Sequence, residues 1–342
     1  MYTIEQPAKS ALETSLLSEQ PAQHVKPAEL RFKGRSFSVP SVEIDGKTFT
    51  VTGTWLKTAA VLDEDLVEGD TLADPESFLS RLRRSGARAD LLTFAQRLPE
   101  TTPKHGYRTE WENVAVVPIT SFSHWWNERA EYSVRKGVNR AKKIGLVAKV
   151  VEFDDQLLEG ISRIYNEVPV RQGKNFWHYG KDLESIKRPL ATYLDRSIFV
   201  GAYYQDELIG FMKITWVGST AAITQILSMK QHFDKRPNNL MIAKAIEICE
   251  KEGKSHFIYG QFVYFDASST LTEFKRRNGF EPVLLPRYYI PLTLKGRIAL
   301  LLGLHRGVAG NTPRGIMRQF LRIRKLLAER KLMLTAKNQI NG

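Results

Sequence analysis

The densest run of reactive side chains lies between Tyr165 and Lys181, YNEVPVRQGKNFWHYGK. Arg171 and Lys174 flank Gln172 and Gly173, and Phe176, Trp177, His178 and Tyr179 follow. A guanidinium can clamp a phosphate or a carboxylate with two hydrogen bonds. Aromatic rings can stack on a sugar or a base, and an imidazole can move a proton near neutral pH. Gly173 and Gly180 permit tight turns. The pattern fits a ligand-binding loop with Arg171, Gln172, Lys174, Trp177 and Tyr179 as contacts and His178 as a base. It also describes a structured loop whose rings only cover the core.

A second cluster is QHFDKRPNN, Gln231 to Asn239. Lys235 and Arg236 precede a helix start at Asn238 and Asn239, so two cations stand beside exposed backbone N–H groups. That suits a phosphate, although an ordinary capped helix start carries similar residues. No metal centre is expected. No two of the seven His stand at ligand spacing with a carboxylate partner, and Cys249 is the single cysteine. Cys249 falls on the apolar face of its helix, which favours core packing over a nucleophile. One cysteine also excludes an internal disulfide.

The elements that must position these groups follow from periodicity. Ser197–Tyr204, Leu208–Val217 and Thr220–Met229 read as strands, rich in β-branched and aromatic residues and bounded by polar turns. Asn239–Glu252 has a helical period that Gly253 stops, and His256–Tyr259 is the next strand. Upstream, Val42–Thr52 is a hairpin around Asp45-Gly46. Pro75–Arg84 is a short helix capped by Asp74, and Ala89–Leu98 and Trp111–Ile119 are strands. Ser121–Ile144 reads as one long helix that opens with aromatics and ends in a basic face. Leu146–Glu152 is a strand before a helix over Asp154–Tyr165.

The order of elements from Arg196 to Phe280 resembles the acyl-CoA N-acyltransferase fold of the GNAT superfamily. The passage RKGVNRAKKIGLV, Arg135 to Val147, is similar to the lobe junction of FemAB-like transferases, and EFKRRNGF, Glu273 to Phe280, to their FK-x-x-x-G ending. Those transferases carry two GNAT-type lobes and add amino acids to cell-wall precursors. The resemblance spans roughly Ala89 to Ile290. It implies an α/β protein of two GNAT-like lobes, with mixed central sheets flanked by helices and a basic C-terminal helical tail. The corresponding divisions are a mobile leader (1–30), an N-terminal lobe (31–145), a C-terminal acyltransferase lobe (146–294) and the tail (295–342).

The same resemblance implies acyl or aminoacyl transfer to a sugar-bearing envelope or polysaccharide precursor, by direct attack of the acceptor on the donor carbonyl. The donor would be acyl-CoA or an aminoacyl-tRNA, held at Lys235, Arg236, Asn238, Asn239 and Phe274. The Arg171–Tyr179 loop would hold a sugar- or phosphate-bearing acceptor, small or lipid-linked. Tyr259 suits a proton donor, and Asp266 or Glu273 a base. Phe274 and Lys275 match a Phe–Lys pair that binds the donor end and stabilises negative charge. The Gln231–Asn239 turn departs from the family in having no glycine. Two alternatives follow: a catalytically silent GNAT-like binding module in polysaccharide biosynthesis, and an aminoacyl-tRNA-dependent transferase.

Composition sets the remaining limits. The 342 residues are 42% hydrophobic and 25% charged, ordinary globular values. No apolar run approaches the roughly 18 residues of a membrane span, and the N-terminus shows no secretory pattern. A cytoplasmic location is expected, with peripheral attachment to the inner face of the membrane. The formal charge is +13, and residues 295–342 hold eleven Lys or Arg against one acid, so the tail carries +10 of it. Ile316, Phe320, Ile323 and Leu327 fall near one helical face among these cations. That pattern suits an anionic membrane surface, and it also describes a helix docked on its own body or on a partner; nucleic acid would be a partner only as a tRNA donor.

Overall fold

A computed structural model describes residues 25–32, 35–171, 173–263 and 269–306. Gln172, Tyr264, Asp266 and the segment 307–342 lie outside the described residues, as do most of the leader and the Ile316–Leu327 face.

The N-terminal part contains β1 (Lys26–Phe32), β2 (Arg35–Ile44), β3 (Lys47–Thr52), β4 (Thr58–Val61), α1 (Pro75–Arg84) and β5 (Leu91–Ala95). The strand β1 begins inside the stretch read as leader. Next come β6 (Arg108–Pro118), α2 (Phe122–His124), α3 (Tyr132–Lys143), β7 (Val147–Val151) and α4 (Asp155–Asn166). The short hairpin β8 (Val170–Arg171) and β9 (Lys174–Asn175) leads to α5 (Leu183–Leu190), β10 (Ser197–Tyr204), β11 (Glu207–Val217) and β12 (Thr220–Ser228). The chain continues through α6 (Pro237–Lys251), β13 (His256–Gln261), α7 (Thr270–Arg277), β14 (Glu281–Pro291) and α8 (Leu294–Leu301).

Twelve strands form one mixed sheet in the order β1-β2-β3-β4-β5-β14-β6-β13-β12-β11-β10-β7. The strand β14 stitches its halves together, pairing with β5 on one side and β6 on the other. Two buried clusters flank this seam. Phe49, Phe78, Leu82 and Phe94 belong to the first, and β6, α3, α4, α5, β10, β11, β12, α6 and β13 contribute to the second.

The sheet opens where β12 and β13 part. They run parallel and pair only over Thr220–Ala222 and His256–Ile258. Each strand then kinks by one extra residue. The β12 bulge falls at Thr224, between the pairs Ile214–Ile223 and Lys213–Gln225. The β13 bulge lies between Ile258 and Gln261, where Gly260 takes φ 54°. Bulges bend a strand and strengthen its twist, and two of them here turn a parallel pair into a fork.

Helices cover both faces. Phe211 of β11 meets Tyr165 of α4, while its neighbour Gly210 lies under Met241 of α6. Adjacent strand residues point to opposite faces, so α4 and α6 pack on opposite sides. Lys213, on the α4 side, is buried and donates to Leu190 O at 2.9 Å and to Thr192 O, closing the end of α5.

The long helix expected over Ser121–Ile144 is broken. After α2 comes one π-turn, Trp125–Arg129, and Ala130 is extended. Trp125 Nε1 donates to Asn278 O at 2.9 Å, and Glu131 N to Arg277 O at 2.9 Å. These tethers to the end of α7 pull the chain out of helical register, and α3 then starts afresh.

Candidate functional site

Three groups of side chains meet around the fork. The first is a cleft of about 1080 Å³ on the α4–α5 face, between the fork and the N-terminal loops 63–70 and 95–104. Asp63 accepts from Tyr193 Oη at 2.9 Å, and Arg196 Nη2 donates to Leu66 O at 2.6 Å, so the 63–70 loop is fastened over this end of the sheet. The cleft wall includes Ala222–Thr224 of β12 and Ile258–Gln261 of β13, with Tyr259 among them. Six carboxylates line it (Asp63, Glu64, Asp65, Asp70, Glu100 and Glu112) against three cations, Arg97, Lys104 and Arg287.

The floor of the cleft is an ion triad. Arg287 Nη2 lies 2.6 Å from Glu64 Oε2, and its Nε donates to Glu112. Burial pushes the Glu64 carboxyl up, opposed by Arg287, and its other oxygen accepts the Ala95 N–H at 2.6 Å. Arg97 gives Nη1 to Asp65 at 3.2 Å. Its Nε and Nη2, the two donors of one guanidinium edge, are buried with no hydrogen-bond partner among the described residues. That edge is the fork that receives a carboxylate or phosphate side-on. Burial also holds the Arg97 pKa below its usual value.

The second group is the Arg171–Tyr179 loop. The structure sets it beside the cleft along β12: Thr224 lines the cleft, and Gln225 bonds the Tyr165 hydroxyl. His178 stacks on the Tyr165 ring at 4.3 Å. Burial, with Lys181 and Arg171 nearby, lowers the His178 pKa to about 4, so the imidazole is neutral at pH 7 and a weak proton acceptor. Arg171 is held by its own chain. Nη1 donates to Ser228 O at 2.9 Å, and Nη2 to Ile164 O at 3.1 Å and Glu167 Oε2 at 3.0 Å. Its guanidinium lies over Phe176. Lys174, Trp177 and Tyr179 are exposed, on the outer side of the loop.

The third group surrounds the start of α6. A 3₁₀ turn, Lys230–Lys235, ends at Arg236 in the left-handed region (φ 62°), and Pro237 opens the helix. Proline supplies no N–H, so Asn238 and Asn239 are the free donors of the first turn. Arg236 runs across α3 at Gly137, where a Cβ would come within 3.3 Å of its Cγ. Lys235 Nζ sits 5.2 Å from the Tyr204 ring centre and 3.6 Å from Asp234. Asn239 Nδ2 donates to Asn278 Oδ1 at 3.0 Å, which ties the α6 start to the end of α7. Phe274 and Lys275 lie on α7. Lys275 is fully buried; Nζ donates to Gln261 O at 2.5 Å and lies 4.5 Å from the Tyr259 ring centre. Burial lowers its pKa to about 8. Glu273 bonds Arg276 and Arg277, which hold its pKa at about 2 and leave it little basicity.

Of the sequence-predicted site residues in the described parts, Tyr259 alone lines the cleft; Lys275 reaches it through Gln261 O and the Tyr259 ring, the Arg171 loop borders β12, and the α6 start follows the turn that leaves β12. Sequence reasoning missed Glu64, Arg97, Glu112 and Arg287. The signal for one of them was present: Arg108, Glu110 and Glu112 alternate along β6, placing charge at every second position of a strand. Among the described residues no group of three His, Cys, Asp or Glu is placed to hold a metal, and no helix is long and apolar enough to cross a membrane.

No protein-family model matches the chain, and no curated protein is similar in sequence. The solved structures do match. FemX superposes with a TM-score of 0.54 at 10% identity, over 82% of this chain and 90% of that one. The fold is FemAB-like. L-PGS from Bacillus licheniformis superposes at 0.50 with 17% identity, over 78% of this chain and 87% of the other. The match over most of both chains means that the FemAB-like fold includes the N-terminal half of the sheet as well as the fork.

Proposed function

We propose that the protein is an acyl or aminoacyl transferase whose acceptor amine enters the cleft at the β12–β13 fork. The observation that carries this reading is the charge of the cleft: six carboxylates against three cations, in a protein of formal charge +13. A cationic amine is drawn into such a field, whereas a neutral hydroxyl gains nothing from it. The unpaired edge of Arg97 adds a place for an anionic group on the same ligand. An amine on a sugar- or phosphate-bearing envelope precursor has both features, and the fold shared with FemX supports that class.

The reaction is a direct displacement. The acceptor loses a proton to a cleft carboxylate, and its lone pair forms a C–N bond to the donor carbonyl carbon. The backbone N–H groups on the unpaired edge of β12, Ile223–Ser228, are available to the tetrahedral oxyanion. When the intermediate collapses, the bond to the donor's thiol sulfur or ribose oxygen breaks, Tyr259 gives its proton to that atom, and the second proton of the acceptor nitrogen restores the Tyr259 hydroxyl as the neutral amide forms. Lys275, under the Tyr259 ring, is a positioning residue in this scheme. Acyl-CoA and aminoacyl-tRNA both carry phosphate that the two N–H groups of α6, with Lys235 and Arg236, can receive.

A transfer assay with acetyl-CoA and, separately, lysyl-tRNA tests this. Glucosamine and glucose serve as matched acceptors, read by mass spectrometry. The amine alone gains mass, and the variant Asp65→Asn, Asp70→Asn, Glu100→Gln loses about tenfold in kcat/KM. Equal modification of glucose, or an unaffected variant, contradicts the reading. A silent binding module is the second reading. It draws on the α6 start, which has Pro237 and no glycine, and it predicts binding of CoA or tRNA without transfer.

A further inference from the structure

The helix α8 faces the wrong way for an ordinary surface helix, whose large apolar side chains point at the body. Gly296, Ala299 and Leu300 face the body instead. Leu294 is 72% exposed, Ile298 48%, Leu301 73% and Leu302 66%, and spacings of four, three and one put them on one stripe. Trp55, 58% exposed, stands at the N-terminal end of the stripe, where Lys295 Nζ donates to its carbonyl at 2.8 Å.

The orientation is fixed by contacts. A Cβ on Gly296 would lie 1.9 Å from Asp90 O, so the helix sits directly on that backbone. Thr293 Oγ1 donates to Asp90 Oδ1 at 2.9 Å, and Lys295 pairs with Asp90 Oδ2 at 2.8 Å. Beyond the helix, His305 and Arg306 pair with Glu110 at 2.7 and 2.9 Å. Rolling the stripe inward would break this set.

We propose that the α8 face is a docking surface for an anionic lipid bilayer. The leucine stripe and Trp55 enter the boundary between headgroups and acyl chains, and exposed Arg297 meets the lipid phosphates. Charge selects this occupant. The 36 residues after Arg306 hold eight Lys or Arg and one acid. In both segments apolar positions stand among cations, Arg297 beside the α8 stripe and the tail's Lys and Arg around Ile316, Phe320, Ile323 and Leu327. An anionic membrane neutralises both segments. The inference stands apart from transferase activity, but it has a consequence for it. Glu110 is two residues from Glu112 on β6, so the docked face lies beside the cleft floor and would bring a lipid-linked acceptor to it.

The test uses the full chain and sedimentation with vesicles of phosphatidylcholine alone or mixed equally with phosphatidylglycerol. Wild type binds the mixed vesicles and is released by high salt. Leu301→Gln, Leu302→Gln, which alters only exposed positions, binds at least about tenfold more weakly with unchanged thermal unfolding. A polarity-sensitive fluorophore on Leu301→Cys reports a watery setting in buffer and an apolar one with mixed vesicles. Equal binding to both vesicles, wild-type binding by the double variant, or an apolar signal in buffer would each overturn the proposal. The last would show that the face is already covered by protein.

Discussion

Arg171 and Glu167 form an ion pair, Nη2 to Oε2 at 3.0 Å, and the same carboxylate caps the turn that leaves β12. It accepts the N–H groups of Lys230 at 2.7 Å and Gln231 at 2.8 Å. Both side chains are largely buried. The guanidinium that looked like a ligand clamp is thus a fastener between α4, the loop and the donor side of the fork.

Arg171→Ala should therefore act on stability. It strands a buried carboxylate and frees two carbonyls, a loss of about 2–4 kcal/mol. Urea unfolding measures this. A wild-type midpoint together with lost ligand binding would return Arg171 to the ligand.

His178 gives a pH signature. Its folded pKa, about 4, lies below the ordinary 6.5, so the fold favours the neutral ring. The unfolded chain binds more protons between these values, so this contribution is complete above pH 6.5 and is lost as pH falls toward 4. The melting temperature of wild type should drop more steeply than that of His178→Phe across that window. Parallel curves would mean that the ring is not desolvated.

Arg287→Met removes the cation between Glu64 and Glu112. Two carboxylates then face each other at the cleft floor, at a cost of about 3–5 kcal/mol at pH 7. Burial already raises the Glu64 pKa, and the loss shrinks as the pH falls and Glu64 takes a proton. A penalty independent of pH would place the damage in packing instead.

Two glycines separate space from conformation. Gly137 is helical, and an added Cβ meets the exposed Arg236 side chain, closest at its Cγ (3.3 Å), which must give by a few tenths of an ångström. Gly137→Ala should be neutral or gain up to about 1 kcal/mol. Gly279 has φ 81°, and its Cβ would press on Arg129 Cβ at 2.9 Å, so Gly279→Ala destabilises. Thermal shifts of opposite sign are the expected pattern.

The strands and helices that carry their own period were legible, whereas β4, β14, α5, α7 and α8 were not read from the sequence. The hairpin at Asp45-Gly46, the cap Asp74, the helix that follows β7, and the run from β10 to α6 all follow local rules. The break at Ala130 was not legible, because it depends on Trp125 and Glu131 reaching Asn278 and Arg277 far along the chain. The cleft was hidden for the same reason: Glu64, Arg97, Glu112 and Arg287 become neighbours only when β14 joins the two halves of the sheet. Burial of Lys275 also has no sequence signal, since a lysine on a charged helix reads as solvated.

Hydrogen exchange on the full chain, with glucosamine and with acetyl-CoA or lysyl-tRNA, tests the location of the site most directly. The account predicts slowed exchange over Ile223–Ser228, over the 63–70 loop and at Tyr259–Gln261. Protection confined to Lys174–Tyr179, with the β12 edge and the 63–70 loop unchanged, would contradict it.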